Sequence, residues 1–145
     1  PGRDGEKGDK GDKGDPGTDG KDAVSRLQFT FATSSSVNSG DYVGLGSSGN
    51  FLRSTVLIPF NCVARGLAFS IREAGSAIPY RGTLTINGVD STLSTTIVDG
   101  SVAPYSRYTT GSVNLNQFDL ISLHVQWEAG ELPSGVCATL VCTDI

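Results

Sequence analysis

Residues 2–22 read GRDGEKGDKGDKGDPGTDGKD, which is seven consecutive triplets that each begin with glycine. The first-position residues are Gly2, Gly5, Gly8, Gly11, Gly14, Gly17 and Gly20. A strict period of three is typical of three polyproline-II chains wound around one axis, where only glycine fits. One chain cannot bury these glycines by itself. The repeat therefore predicts a collagen-like triple helix over residues 1–22, and with it a homotrimer.

The triplets are rich in charge, with twelve charged residues among the first twenty-two and Pro16 as the only proline inside the repeat. Such a composition also suits a disordered linker, and the repeated Lys-Gly-Asp resembles short adhesive motifs. The unbroken glycine period favours the triple helix. There, a lysine in the third triplet position approaches an acid of the next triplet on a neighbouring chain, and each pair contributes about 0.2–1 kcal/mol. The predicted interchain charge pairs involve Lys7, Asp9, Lys10, Asp12, Lys13 and Asp15.

The composition changes at residue 23, where a second region begins. All four lysines lie in the repeat, whereas residues 23–145 carry six arginines and eight acids. These 123 residues are enough for one domain with its own core. Scattered arginines and a net negative charge argue against nucleic-acid binding, and no apolar run is long enough for membrane insertion. Because the chain starts in phase with the repeat and lacks methionine, we expect residues 1–22 to end a longer stalk.

The second region shows short β patterns separated by turn signals, with no segment of helical period. The predicted strands cover 24–32, 41–45, 51–60, 63–73, 83–86, 89–98, 109–115, 119–128 and 135–143. Asn87-Gly88 and Asp99-Gly100 are the strongest two-residue hairpin signals. Apolar residues alternate along 27–31, 67–71 and 121–127, so two packed sheets would bury these faces. The pattern predicts an all-β fold, an antiparallel jelly-roll sandwich.

A trimeric head also needs a second buried surface around its threefold axis. Small or weakly polar residues that face outward on central strands suit such a surface, and Thr30, Thr139 and Val141 are the candidates. His124 is a fourth candidate, because it lies in mid-strand on the polar face of 119–128. Trp127 lies on the same face of that segment as its alternating apolar residues, so we expect it in the core. Tyr105 and Tyr108 fall in a predicted loop and are the candidate ligand-binding residues.

No motif in the chain predicts catalysis or a cofactor. GLGSSG at residues 44–49 matches the dinucleotide pattern G-x-G-x-x-G, but strand-like residues follow it where a helix would have to begin, so a turn is expected. His124 is the only histidine, and no cysteine pair accompanies it in sequence. We expect Cys62, Cys137 and Cys142 to be three buried thiols, with one bridge involving Cys62 as the alternative.

Three aspartates lie next to turn signals, where carboxylates commonly accept hydrogen bonds from backbone amides. They are Asp90, Asp99 and Asp119. A calcium ion held by such loops is the one metal that we consider, and the spacing of these residues does not define a ligand set.

The order of a Gly-x-y stalk and an all-β domain resembles the collagen-like surface proteins of spore-forming bacteria, including the exosporium filament proteins. The resemblance is carried by YVGLG (42–46), RSTVLIPF (53–60), LTINGV (84–89) and NQFDLIS (116–122). The heads of that family are similar to the jelly rolls of complement-type and tumour-necrosis-factor-like trimers. The resemblance implies an extracellular structural or attachment protein whose partner is itself. The alternative is the receptor-binding tip of a bacterial, phage or viral fibre that recognises a host protein or glycan.

Overall fold

The structure is a computed structural model, and it describes Gly5, Gly8, Gly11, Gly14 and residues 25–34, 36–73, 79–98, 105–128 and 134–144. The strands in these residues are β1 (Arg26–Ala32), β2 (Tyr42–Val43), β3 (Ser48–Gly49), β4 (Val56–Leu57), β5 (Cys62–Glu73), β6 (Tyr80–Ile86), β7 (Val89–Ile97), β8 (Ser106–Leu115), β9 (Leu120–Gln126) and β10 (Ser134–Asp144). A 3₁₀ turn, η1, covers Phe51–Arg53. Within the described part of the chain, no helix has the length and hydropathy that crossing a membrane requires.

The strands form two antiparallel sheets. The four-stranded sheet has the order β1-β10-β5-β8, and the six-stranded sheet has the order β3-β2-β9-β6-β7 with β4 paired to β9. The chain passes from one sheet to the other after β1, β4, β5, β7, β8 and β9, and its first and last strands are paired. This alternation is the winding of a jelly roll. The predicted all-β antiparallel fold is confirmed.

The core lies between the two sheets and is built from alternating residues. Leu67, Phe69 and Ile71 of β5 point into it from one sheet, and Leu123 of β9 points into it from the other. The two layers touch at Gly82 of β6, where an added Cβ would lie 3.0 Å from Cγ of Phe69. Burying each large apolar side chain contributes about 1.5–3 kcal/mol. The apolar faces predicted for 67–71 and 121–127 are therefore the core faces.

Two sequence predictions about individual side chains agree with this core. Trp127 is 8% exposed, and its ring centroid lies 5.6 Å from that of Tyr80. In β1, Phe31 is fully buried, and Leu27 and Phe29 pack against the core from its edge. The core therefore takes aromatic residues from β1, from the middle of the chain and from the residue that follows β9.

The hairpin between β6 and β7 turns at Asn87-Gly88, as predicted. Both residues have positive φ, 52° and 86°, and the flanking residues Ile86 and Val89 are paired. Two successive positive φ values define the tight turn that suits the twist of paired strands, and Asn followed by Gly adopts it readily. The second hairpin signal, Asp99-Gly100, lies outside the described residues.

The prediction of one strand over 51–60 is wrong. The side chain of Asn50 accepts a hydrogen bond from the Arg53 backbone N–H at 3.1 Å and so closes the 3₁₀ turn. Only Val56 and Leu57 then pair with β9. A polar cap at the start of the segment therefore overrides its strand-like composition.

Residues 44–49 form a turn between short strands, as expected. The backbone N–H of Gly44 donates to the carbonyl of Ser47 at 2.9 Å, and Gly46 has a φ of 80°. No α-helix follows the turn, so its geometry is not that of a phosphate-binding loop.

Candidate functional site

The described glycines of the repeat have no neighbours inside their own chain. Gly5, Gly8, Gly11 and Gly14 are exposed, and a Cβ added to any of them would meet no atom within 4 Å. Nothing in the single chain therefore requires glycine at these four positions. The remaining repeat residues of the predicted triple helix lie outside the described residues, and they are Gly2, Gly17, Gly20, Lys7, Asp9, Lys10, Asp12, Lys13 and Asp15.

The outer surface of the four-stranded sheet carries an array of side chains without charge. Three rows of directly paired residues cross all four strands, and we call these twelve positions the uncharged face. In the order β1, β10, β5, β8 the rows are Gln28, Val141, Gly66, Thr110; then Thr30, Thr139, Ala68, Tyr108; then Ala32, Cys137, Ser70, Ser106. Depletion of charge distinguishes the centre of a protein interface from ordinary surface.

Arginines border the uncharged face at both ends. Arg26 and Arg65 lie beyond the first row, where Arg65 donates to the hydroxyls of Thr143 and Ser112 at 3.1 and 3.2 Å. Arg72 lies beyond the third row and donates to the hydroxyl of Ser70. A polar rim around an uncharged centre is the usual anatomy of a protein–protein interface.

A groove of about 430 Å³ runs along the uncharged face. Ala68, Tyr108 and Thr139 are among its lining residues, and Arg72 and Arg107 add charge to its wall. The phenol of Tyr108 lies across Gly66, so a Cβ at Gly66 would collide with the ring. The small residues of β5 thus form the floor of the groove, and Tyr108, which is 51% exposed, forms one wall.

His124 does not belong to the same surface as the other candidate interface residues. Thr30, Thr139 and Val141 share the uncharged face, whereas His124 lies on β9 and points outward from the six-stranded sheet. The four candidate interface residues therefore lie on two surfaces, because β9 and β10 belong to different sheets. The alternation of side chains along a strand shows which residues share a face, but it does not show which sheet the strand joins.

The imidazole of His124 is held by two neighbouring side chains. Its Nδ1 lies 2.8 Å from Oδ1 of Asp90, and its ring stacks on Tyr42 at a centroid distance of 4.4 Å. Oδ1 of Asp90 also accepts a hydrogen bond from the hydroxyl of Thr85 at 3.0 Å. This arrangement fixes the ring and places no thiol beside it, since the buried cysteines lie in the core.

The two candidate ligand-binding tyrosines do not share a loop. Tyr105 packs against the core, and its carbonyl accepts from the backbone N–H of Ile71 at 2.9 Å. Tyr108 lies in β8, which begins at Ser106 rather than at Thr109 as predicted. The loop prediction is wrong because 106–108 pairs with β5 and so extends the strand.

A second pocket, of about 490 Å³, opens at one end of the outer surface of the six-stranded sheet. Arg81, Thr96 and Gln126 are directly paired across β6, β7 and β9, and all three line it. A guanidinium N–H of Arg81 donates to Oε1 of Gln126 at 2.8 Å. Glu128 and Trp127 complete the polar and aromatic parts of the wall. We call this cavity the Arg81 pocket; no sequence motif indicated it, because its residues come from three separate strands.

All three cysteines are free, and two of them are neighbours in the core. The thiols of Cys62 and Cys142 are hydrogen-bonded to each other, and both residues are fully buried. Burial, and to a lesser degree the charge of Cys62, raises the pKa of the Cys142 thiol to about 12. Burial also raises the pKa of Cys62. Cys137 is only partly buried and belongs to the uncharged face, so the prediction of three buried thiols is wrong for it.

The aspartates near turns divide into two kinds. Asp119 accepts from the backbone N–H of Asn116 at 2.8 Å, which is the predicted capping role. Asp90 binds side chains instead, and Asp99 lies outside the described residues. In the parts of the chain that the structure describes, no three His, Cys, Asp or Glu residues are grouped so that they could hold a metal ion. The calcium site stays a prediction without a described ligand set.

The strand order defines this part of the chain as a jelly-roll domain. No family model and no curated protein matches the sequence. Among solved structures, the chain is similar to the globular domain of the zebrafish complement 1qA protein, with 15% identity, a TM-score of 0.45, and coverage of 83% of this chain and 98% of that one. It is also similar to a family 35 carbohydrate-binding module from Clostridium thermocellum, with 16% identity, a TM-score of 0.42, and coverage of 83% and 92%. Both TM-scores lie below 0.5, so the fold assignment depends on the strand order, and functional arguments depend on this chain's own residues.

Proposed function

We propose that this chain is a structural and attachment protein whose head trimerises, aligns three chains and nucleates the adjoining collagen-like triple helix. The observation that carries the proposal is the uncharged face, which supplies a surface suited to two further copies of the head. The repeat supplies the requirement for three chains, because its four described glycines, Gly5, Gly8, Gly11 and Gly14, have no packing partner within the described chain.

The head is needed because the repeat alone is a weak assembly element. Ordering the backbone costs about 1–2 kcal/mol per residue, and seven triplets with one proline offset little of this cost. Three stalks tethered to an assembled head meet at a high effective concentration, which converts their association into an intramolecular step. At about 3 Å per residue the repeat would extend roughly 60 Å from the head.

The cellular setting is also part of the proposal. We place the protein in an extracellular filament, on a spore surface such as the exosporium or at a fibre tip. The support is the resemblance in domain order, in which a Gly-x-y repeat precedes an all-β domain. The proposal assigns no reaction to the chain, so screens for hydrolase and transferase activity should be blank. Turnover that is abolished by substituting His124 would contradict this.

The test is the oligomeric state of the head and its dependence on the uncharged face. Residues 23–145 should be trimeric by light scattering. Val141→Glu places a charge in the first row of the face and should convert the trimer to a monomer, because an unpaired charge in an interface is costly to desolvate. The matched control is Val89→Glu, which makes the same change at an exposed valine of the six-stranded sheet and should leave the trimer intact. A monomeric parent head, or a trimeric Val141→Glu variant, contradicts the proposal.

A second candidate function is recognition of a host protein or glycan by the head. The observation that favours it is the Arg81 pocket, which is built from polar residues on rigid strands and lies on the opposite sheet from the uncharged face. Both functions share the trimer, so the oligomeric state does not distinguish them. A glycan array and a pull-down from host surfaces with the head would do so.

A further inference from the structure

The Arg81 pocket has polar groups whose positions are fixed by the sheet. Thr96, Arg81 and Gln126 form one directly paired row across three neighbouring strands. Side chains carried by strands are placed more accurately than side chains carried by loops. The hydrogen bond from Arg81 to Gln126 further restricts the guanidinium, which is otherwise one of the most mobile side-chain groups.

Another part of the pocket wall, at Ser39 and Trp127, is fixed by a reciprocal pair of hydrogen bonds. The hydroxyl of Ser39 donates to the Trp127 carbonyl at 2.6 Å and accepts from the Trp127 backbone N–H at 3.0 Å. Trp127 also lines the pocket, and its indole is mostly buried and lies beside Tyr80. Pro79 adds a second apolar contact surface. The wall therefore combines a preformed polar row with a small apolar rim.

The hydrogen-bond donors and acceptors of this wall favour a ligand with many hydroxyl groups. The described contacts of Arg81 use one of its five guanidinium N–H groups, and Gln126 accepts that bond through Oε1, which leaves its amide N–H groups as donors. Thr96 supplies a hydroxyl that donates or accepts. No described residue donates to the Glu128 carboxylate, so it remains an acceptor at the same wall. A hydroxyl group both donates and accepts hydrogen bonds, so it can pair with the donors and with the acceptor of this wall. A purely anionic group only accepts hydrogen bonds, and a purely cationic group only donates them.

Charge and size narrow the ligand further. One guanidinium and one carboxylate line the pocket, so their charges balance, and neither an anionic nor a cationic ligand gains a net electrostatic attraction from them. The volume of about 490 Å³ lies within the range of about 300–1,000 Å³ that is usual for small-molecule sites. A neutral sugar residue presents hydroxyls along its edge and C–H groups on its face, which match the polar row and the apolar rim.

We propose that the Arg81 pocket binds a neutral hexose or N-acetylhexosamine residue of a glycan. The proposal rests on recognition as the second candidate function and does not depend on the trimer. In it, Arg81, Gln126 and Thr96 donate to sugar hydroxyls, and Glu128 accepts from them.

The experiment uses the whole 145-residue chain, a glycan array with neutral and sialylated or sulfated members, and saturation-transfer NMR with the methyl glycosides of galactose, glucose and N-acetylglucosamine. We expect binding to neutral members, and a loss of at least tenfold in affinity with Thr96→Val and with Glu128→Gln. The matched control is Thr92→Val, which changes an exposed threonine four residues away on the same strand and should leave binding unchanged. Circular dichroism of each variant verifies that the fold is retained.

Each other outcome overturns a defined part of the reasoning. If the parent chain binds no glycan on the array, both the site and glycan recognition are wrong. If it binds neutral glycans equally well with Thr96→Val and Glu128→Gln, recognition stands but the site lies elsewhere. If sialylated or sulfated members bind better than neutral ones, the ligand class is wrong.

Discussion

The close approach of two backbone segments at Gly44 leads to a specific prediction for Gly44→Ala. Gly44 is buried, and its carbonyl accepts from the Ala32 backbone N–H at 2.8 Å, which ties the turn at 44–49 to β1. A Cβ at Gly44 would lie 2.6 Å from the carbonyl carbon of Ser54 and 2.9 Å from its Cα and O. All three contacts are backbone atoms, so no side-chain rotation can relieve them.

The magnitude follows from the displacement that the new methyl group requires. Ordinary contacts of a Cβ begin at 3.4 Å, so the two backbone segments must separate by about 0.8 Å. Overpacking of this kind costs about 1–3 kcal/mol. Replacing glycine by alanine recovers about 0.4–1 kcal/mol by restricting the unfolded chain. We therefore expect a net loss of about 1–2 kcal/mol, which for a domain of this size corresponds to a fall in Tm of roughly 3–10 °C.

The assay is thermal and urea denaturation of the head, followed by circular dichroism and Trp127 fluorescence at one fixed chain concentration, because the stability of a trimer depends on concentration. Gly111→Ala is the matched control. Its Cβ would lie 2.9 Å from Cδ1 of Leu93, the end of a flexible side chain that can move away. We expect the control to stay within about 0.5 kcal/mol of the parent. Equal Tm values for the two variants would refute the argument from backbone contact.

Three further predictions concern the stalk, the buried thiols and the surface histidine. Gly11→Ala in the whole chain should remove much of the collagen circular-dichroism signal and leave the head trimeric; unchanged triple-helix melting would count against the stalk prediction. The pKa values of Cys62 and Cys142 are raised in the folded state, so the folded protein keeps thiol protons that the unfolded chain loses near pH 9.0. The free energy of unfolding should therefore be constant below that pH and fall as the pH rises towards 12. In Cys142→Ala the alkaline decline should be shallower in urea titrations, and an unchanged slope would contradict this assignment. Asp90→Asn weakens a partly exposed contact with His124 and should lower the free energy of unfolding, measured in urea, by about 0.2–1 kcal/mol. A loss above about 2 kcal/mol would contradict the assignment of this contact as a weak surface pair.

Much of the fold could be predicted from the sequence because its local signals agree with its tertiary contacts. Alternating apolar residues define the faces of β5 and β9, and Asn87-Gly88 defines a hairpin with the backbone angles that these residues favour. The segment 51–60 differs because one side chain, that of Asn50, caps a turn that composition does not reveal. Local hydrogen bonds of this kind compete with strand formation, and the strand-like composition of the segment does not reveal them.

The candidate surfaces were harder to predict, because they depend on which strands become neighbours. Thr139 and Val141 could be assigned to an outward face by parity, but their grouping with Tyr108 follows only from the pairing of β10 with β5 and of β5 with β8. His124 has the same local pattern and lies on the other sheet. The row of Thr96, Arg81 and Gln126 likewise has no local signature, since pairing across β6, β7 and β9 creates it.

The order of the chain connects the repeat with the uncharged face. β1 begins at Arg26, four residues after the last triplet ends at Asp22, and it is an edge strand of the four-stranded sheet. The same sheet carries the uncharged face, in which Thr30 of β1 belongs to the central row. Three heads packed through this face would bring three copies of β1 towards one axis, and the stalks would then leave the head close together. The surface that we propose for self-association is thus the one from which a triple helix could start, and the six-stranded sheet with the Arg81 pocket would face outward, where a glycan could reach it.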